Sequence, residues 1–317
     1  MATWTVSGGF MATPTLSEVL RHAVQPLVRF RQFCDIEEAL GKEVGDTFQW
    51  NVYGDAAADG GALVEGDVMP ETDFAITQAS VVMTEYGVAV PYTGKFDDLS
   101  EHPIRTIIHK TLKNAARRAL DTAAHAQFDA TNLLVKAGAD GTVVDGIAFT
   151  DDGVDISGGL NSVDLTKEHV KLIADLMEER NIPVFDGENY VCIARPTTLR
   201  PFRNELEDIH KYVDPGWMRI MAGEIGRYEG IRFVTQTNVP DAAWTGPSDD
   251  AYFFGADTVT EACAIPEEIR GKIPDDYGRG KGIAWYAILG FAITHADTTS
   301  AETRAQARIV KWHEGAA

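Results

Sequence analysis

The residues able to do chemistry are present in this sequence but scattered. Gly278-Arg-Gly-Lys-Gly282 sets two cations among three glycines, the composition of a phosphate cradle. It lacks the Ser or Thr, and the strand-before, helix-after setting, that would aim backbone N–H groups at a phosphate, and so it reads as a surface loop. Asp151-Asp152-Gly153-Val154-Asp155 offers the oxygens of part of a calcium loop, without the spacing or closing Glu of an EF-hand, and reads as a turn. The eight His residues are dispersed. Glu168-His169 and His313-Glu314 are chain neighbours that point to different faces, and neither makes a dyad or metal set. Cys34, Cys192 and Cys263 are odd in number and far apart, which suits neither a disulfide framework nor a zinc pattern, and they read as small buried apolar groups. The motifs G-x-x-x-x-G-K-[ST], H-E-x-x-H, G-x-S-x-G and C-x-x-C are missing. The expectation is therefore no enzyme, with no catalytic, cofactor-binding or metal-ligating residue and no cofactor.

Composition narrows the remaining classes. A chain of 317 residues with 44% hydrophobic content can bury a real core and could be one large domain or two ordinary ones. With 28 Lys and Arg against 48 Asp and Glu, the formal net charge is -20, which opposes sequence-independent binding to phosphate backbones. The start, Met1 to Gly9, has neither a basic lead nor an apolar stretch, so no secretory signal is expected there. No apolar run approaches the ~20 residues that span a bilayer, and the expected setting is a cytoplasm.

The elements that would position any site are uneven along the chain. Thr13 to Glu18 carries helix-start chemistry, with a Thr15 to Glu18 capping box, and Pro26 ends the segment, which reads as an arm without its own core. Phe48 to Tyr53 and Phe74 to Tyr92 are strand-like ribs around a Gly- and Asp-rich stretch, Gly54 to Asp73, and predict a long hairpin. Such a ribbon is marginal alone and exposes unpaired edges, so a neighbouring subunit is expected to supply a surface for it. Between Glu43 and Gly94 there are nine acidic residues and no Lys or Arg. Next, Glu101 to Lys136 reads as one helix of roughly 50 Å, with Ile104, Ile108, Thr111, Ala115, Ala119, Thr122 and Ala126 as its apolar face. Arg105, His109, Lys113 and Arg117 recur every four residues as a basic stripe, with Lys110 and Arg118 beside it. That stripe is either a solvated face or a surface for packaged DNA or a neighbour's acidic ribbon.

The second half reads as compact α+β. Short strands are expected at Thr142 to Val144, Ile147 to Thr150, Tyr190 to Ala194, Ile231 to Thr235, Ala251 to Phe254 and Arg308 to Trp312, with a long buried strand over Gly282 to Thr294. Helices should start at Asp164 or Thr166 and run to Arg180, and start at Thr197 or Thr198 and run through Glu207. No internal repeat is visible.

Gly223-Glu-Ile-Gly-Arg-Tyr-Glu-Gly-Ile-Arg-Phe-Val-Thr-Gln-Thr-Asn-Val-Pro240, Tyr252-Phe-Phe-Gly-Ala-Asp257, and the stretch from Gly282 to Trp312 resemble the C-terminal half of tailed-bacteriophage major capsid proteins, in the branch typified by coliphage N-four. The resemblance implies the Hong Kong ninety-seven capsid fold: an N-terminal arm (1–43), an extended E-loop (44–95), a P-domain with a spine helix (96–160), an A-domain (161–281) and strands returning to the P-domain (282–317). It implies a shell subunit that self-assembles as hexamers and pentamers around double-stranded DNA in the host bacterial cytoplasm and ends in the virion capsid. The partners implied are the chain itself, portal and scaffolding proteins and a decoration protein, with no membrane. The E-loop lysine that forms an isopeptide bond in some members has no counterpart in this ribbon, so covalent cross-linking of that kind is not carried over. Nor does a long charged helical prefix precede the arm, and scaffolding is expected to be a separate protein. The alternatives are an encapsulin-type nanocompartment, which shares the fold and holds cargo enzymes, and a soluble enzyme of unknown type.

Overall fold

The computed structural model describes residues 27–38, 45–56, 61–63, 68–69, 71–140, 143–154, 156–160, 163–210, 226–238, 250–274, 276–295 and 306–313. The helix expected after Thr13 lies outside them. From Leu27 the chain makes a 3-10 turn at Phe30–Phe33 and a short strand β1 (Asp35–Glu38). Strands β2 (Thr47–Ala56) and β3 (Phe74–Val82) then pair antiparallel as the expected hairpin, with Thr47 opposite Val82 and Tyr53 opposite Ile76. The second rib is not one strand but two. Met83 N–H closes the hairpin by donating to the Asp46 carbonyl at 2.7 Å, and the chain continues as β4 (Thr84–Thr93) into a different sheet.

After the short helix α1 (Gly94–Leu99) comes the long helix α2 (Ile104–Asp129), whose 26 residues make a rod of about 39 Å. It ends about two turns before the expected Lys136, and Leu134–Asp140 is instead strand β5. The Leu-Leu-Val run there suits either state locally; pairing with a sheet on both sides decides it. The buried face also differs from expectation. Ile104, Ile108, Leu112, Ala116, Leu120, Ala124 and Phe128 are buried, at strict four-residue spacing, while Thr111, Thr122 and Ala126 are exposed. Each four-residue step rotates about 40° around the helix, so this stripe winds through roughly 240° from end to end. Its first half packs on one sheet and its second half on another.

The remaining strands are β6 (Val143–Thr150), β7 (Gly159–Leu160), β8 (Tyr190–Ala194), β9 (Arg227–Tyr228), β10 (Ile231–Thr235), β11 (Ala251–Phe254), β12 (Val259–Gly271), β13 (Gly280–Ile293) and β14 (Ile309–Trp312), with helices α3 (Lys167–Glu179) and α4 (Arg200–His210) between them. A four-stranded sheet runs β1-β12-β13-β4. A larger sheet runs β6-β5-β14-β11-β8-β10-β9, with β7 on β5. Every residue of β8, β11 and β14 is buried, because the larger sheet is covered on both faces. Val191, Ile193, Tyr252, Phe254 and Ile309 join the α2 core, and Cys192, Ala194, Phe253, Val310 and Trp312 join the core under α3 and α4. Thr166 caps α3 in a reciprocal box with His169, whose ring is fully buried against Trp312.

Sheet membership divides the chain differently from the expected segments. Strands β5 and β6, read with the long helix, belong to the larger sheet; β12, read with the 161–281 segment, lies between β1 and β13 under α2. The strand β12 was missed altogether, because its second half is charged and exposed while its first is buried, and neither half shows sustained alternation.

Candidate assembly surfaces

Three surfaces stand out, beginning with the hairpin. Its root is fastened to the subunit: Ala79 and Val81 are buried, and Trp50 Nε1 donates to the Thr294 carbonyl at 2.8 Å. Gly290 of β13 makes the close approach possible, since a Cβ there would stand 2.6 Å from the Val82 carbonyl oxygen. Beyond the root the described residues of the ribbon are bare. Tyr53 and Ile76, a cross-strand pair, are 78% and 62% exposed, and Phe74, Leu63, Met69 and Val68 are exposed as well. A subunit that folds this segment without covering it leaves apolar area for another molecule to bury.

The second surface is where the arm enters. Phe30 is fully buried among His125, Phe128 and Tyr252. Arg31 forks onto the buried Glu261 carboxylate, Nη2 to Oε1 at 2.6 Å and Nε to Oε2 at 2.9 Å, and also meets Glu267. Asp121 of α2 accepts from the Arg31 N–H, from Gln236 Nε2 at 2.7 Å and from Asn238 Nδ2 at 3.0 Å. Burial raises its carboxyl above the ordinary aspartate value, against the lowering effect of those donors. Arm, long helix and the loop after β10 are thus tied at one buried acid.

The third is the basic stripe. Arg105, His109, Lys113 and Arg117 are all exposed. Arg105 binds Asp97 at 3.0 Å, and Lys281 reaches the same oxygen at 3.0 Å. Burial alone would raise the Asp97 carboxyl, but these two cations hold it below the ordinary range. Farther along, His109, Lys110, Lys113 and Arg117 form one wall of a groove of about 510 Å³, with Trp285, Ile269 and Ala116 as its apolar lining and Glu267 and Glu268 across from them.

The groups with chemistry-bearing side chains are otherwise accounted for by structure. Lys311 Nζ bridges Asp129 at 2.7 Å and Asp250 at 3.1 Å; His313 Nδ1 lies 3.1 Å from Asp250, and the Tyr252 hydroxyl donates to Asp129 at 2.8 Å. His125 Nε2 is 2.9 Å from that hydroxyl. Burial pushes His125 toward its neutral form, which leaves it donating to the phenol oxygen. This network pins the end of α2 to β11 and β14. Gly278 to Gly282 proves to be the turn and first residues of β13, with the Arg279 N–H donating to the Asp276 carbonyl. At Asp151, Arg180 forms an ion pair at 2.8 Å, while Asp152 accepts from the Val154 N–H in an Asx turn; Asp155 lies outside the described residues. Burial raises the Cys34 and Cys192 thiols, keeping both protonated and inert. Among the described residues no three His, Cys, Asp or Glu side chains are grouped to hold a metal ion, and no helix is long and apolar enough to cross a membrane.

Comparison with known proteins decides the family. The sequence model for phage capsid protein matches residues 77–305. The chain belongs to the phage capsid protein family. The fold agrees over nearly its whole length with the capsid of cyanophage P-SCSP1u (TM-score 0.69, 13% identity, 95% of this chain and 92% of that one). It agrees likewise with the capsid of Ralstonia phage GP4 (TM-score 0.63, 15% identity, 100% and 99%) and with the acidic stable capsid of Helicobacter pylori bacteriophage KHP30 (TM-score 0.67, 10% identity, 98% and 98%). No curated protein matches the sequence. As a phage capsid protein of the Hong Kong ninety-seven fold, the chain is a structural subunit that works in many copies. The hairpin is then its E-loop and α2 its spine helix. Both were visible in the sequence as elements; the arm clamp was not, because Arg31 and Glu261 are 230 residues apart and nothing local links them.

Proposed function

We propose that copies of this chain close into an icosahedral shell of hexamers and pentamers around double-stranded DNA that enters through a portal. A separate scaffolding protein guides assembly and a decoration protein can reinforce the outside. The role is mechanical and not enzymatic. One observation carries this reading: the E-loop is rooted in its own subunit yet exposes Tyr53, Phe74 and Ile76, so its apolar surface has to be covered by a neighbour. The acidic composition, net -20, fits a wall that lets DNA pack and leave without adhering. Within the shell, the chain leading into β1 serves as the arm and the β2–β3 hairpin as the E-loop. The spine helix with β1, β4, β12 and β13 forms the P-domain, and the larger sheet with α3 and α4 forms the A-domain, surrounding the hexamer and pentamer axes. Assembly would take place in the host bacterial cytoplasm, and the virion capsid is the protein's final location.

Size-exclusion chromatography with light scattering, followed by electron microscopy and analysis of the particle contents, tests the proposal. Megadalton shells or free hexamers holding or packaging DNA are expected. Protein cargo in place of DNA would instead identify an encapsulin-type nanocompartment. A stable monomer of 34.6 kDa at high concentration, even with scaffolding protein added, would refute the shell reading.

A further inference from the structure

Two chain crossings that start and finish side by side join the two sheets. In the four-stranded sheet, Val259 opens β12 directly opposite Ile293, which closes β13. In the larger sheet, Phe254 closes β11 directly opposite Ile309, which opens β14. One crossing therefore carries β11 into β12 through residues 255–258, and the other returns from β13 to β14 between Thr294 and Arg308. The first crossing is a tight fit. A Cβ on Gly255 would overlap the Pro183 carbonyl oxygen, which accepts from the Ala256 N–H at 3.0 Å.

Asp257, in the first crossing, grips the second near both of its ends. Its Oδ2 lies 2.9 Å from His295 Nε2, just past β13, and accepts from Arg308 Nη1 at 3.1 Å, just before β14. Arg308 Nη1 also donates to the Ala256 carbonyl at 3.3 Å. The Asp257 backbone, with φ of 54°, sits in the left-handed region that Asp and Asn tolerate better than other side chains. The His295 hydrogen bond holds the Asp257 carboxyl below the ordinary aspartate value, against the raising effect of partial burial. Other bonds close the same joint: the Thr294 N–H donates to the Thr258 carbonyl at 3.0 Å, and the Thr260 and Thr294 hydroxyls meet at 2.8 Å. The hairpin root shares it, because Trp50 donates to the Thr294 carbonyl. Apolar packing on α2 also holds the two sheets together, but such packing is not directional. A carboxylate shared between two donors is, since its hydrogen bonds are met in one geometry.

We propose that Asp257 is the pin of this joint, a positioning residue that holds the two sheets at one angle and so sets how the subunit curves within a closed shell. The role in curvature rests on the shell reading; the pin itself does not.

Spin-label distance measurements on the unassembled full chain test the pin. Labels go on Ile36→Cys in β1 and Phe149→Cys in β6, both exposed, with Cys263→Ala removing the native thiol that is not buried. The parent should show one narrow distance. Asp257→Asn keeps a residue suited to the left-handed backbone but loses the charge, and the single distance should give way to a broad distribution. Arg308→Met should broaden it too, and Arg308→Lys, which keeps the cation, should restore the narrow distance, a rescue that a general loss of stability would not produce. If Asp257→Asn does not fold, the two Arg308 variants decide. A distance that stays narrow in Asp257→Asn or, failing that, in Arg308→Met would overturn the pin. In assembled particles, Asp257→Asn should replace one diameter with a mixture under the electron microscope. Uniform particles of parental diameter, built from subunits whose distances have broadened, would overturn the role in curvature. A parent chain that forms no particles would defeat the shell reading and that role with it, while the distances would still decide the pin.

Discussion

The two halves of the spine helix handle charge in opposite ways. In the C-terminal half, Asp121, His125 and Asp129 are each held by partners within the same subunit; Asp121, His125 and the Lys311 that binds Asp129 are buried, while the Asp129 carboxylate is half exposed. In the N-terminal half the cations stand in solvent, and after Arg105 has found Asp97 the rest of the stripe is uncommitted among the described residues. Buried, satisfied charges fix a geometry, because moving either partner strands the other in a low dielectric. Exposed charges fix little by themselves, since water and salt screen them. The difference separates charges that fix the subunit's own geometry from charges that the subunit leaves open.

The largest test lies in the buried half. Lys311→Met removes the cation shared by Asp129 and Asp250 and leaves two half-buried carboxylates facing each other. Breaking a fully buried pair costs about 3–5 kcal/mol; solvent at the half-exposed Asp129 screens part of this, so the loss should sit near the low end, to be read as a drop in the urea midpoint of the unassembled subunit. The same variant should change the response to acid. Burial alone would raise both carboxyls, but Lys311, with Tyr252 on Asp129 and His313 on Asp250, holds them below the ordinary aspartate value of 3.8. A depressed folded value means that the unfolded chain takes up protons first. Stability from this pair is therefore complete above that ordinary value and is lost as pH falls through the lower folded values. Without Lys311 the folded values rise, and the acid-side slope of stability against pH should flatten or reverse. An unchanged slope would mean that other groups carry the acid sensitivity.

A smaller effect is expected one step along the same network. Tyr252→Phe keeps the ring against Phe30 and His125 but deletes the hydroxyl that donates to Asp129 and accepts from His125. A hydrogen bond to a charged group contributes about 1.5–3 kcal/mol, and Asp129 retains Lys311, so the loss should lie at the low end. A cost equal to that of Lys311→Met would show that the hydroxyl, and not the cation, holds the helix to the sheet.

How much of this the sequence disclosed follows the same division. The stripe at Arg105, His109, Lys113 and Arg117 was legible because exposed helix positions obey only the helix period. The E-loop was legible from its Gly-rich tip, alternating ribs and one-signed charge. The buried face was not: the expected face followed the mean period, whereas the real one winds with a four-residue step so as to meet two sheets in succession. The stop at Asp129 and the strand at Leu134–Asp140 were hidden for a related reason, since a Leu-Leu-Val run satisfies helix and strand alike until β14 and β6 claim it. In the same way, the sequence excludes a dyad of His169 with Glu168 but does not show what the His169 ring does. It is the second half of a capping box, a role that depends on Thr166 three residues earlier and on Trp312 far along the chain.

The smallest expected effect sharpens the comparison most. Lys113→Glu with Arg117→Glu reverses two charges on one turn of the same helix, and the folded subunit should scarcely register it. Both side chains are exposed, neither has an ion-pair partner among the described residues, and neither position lies in the buried stripe of Ile108, Leu112 and Ala116. Surface changes of that sort stay within about 0.5 kcal/mol, and here the added carboxylates near Glu267 and Glu268 set the sign as slightly unfavourable. The urea midpoint of the unassembled subunit should therefore stay put while particle formation fails. If the midpoint fell far enough to signal a loss of several kcal/mol of stability, the stripe would be a folding element after all, and the two halves of the helix would differ only in exposure.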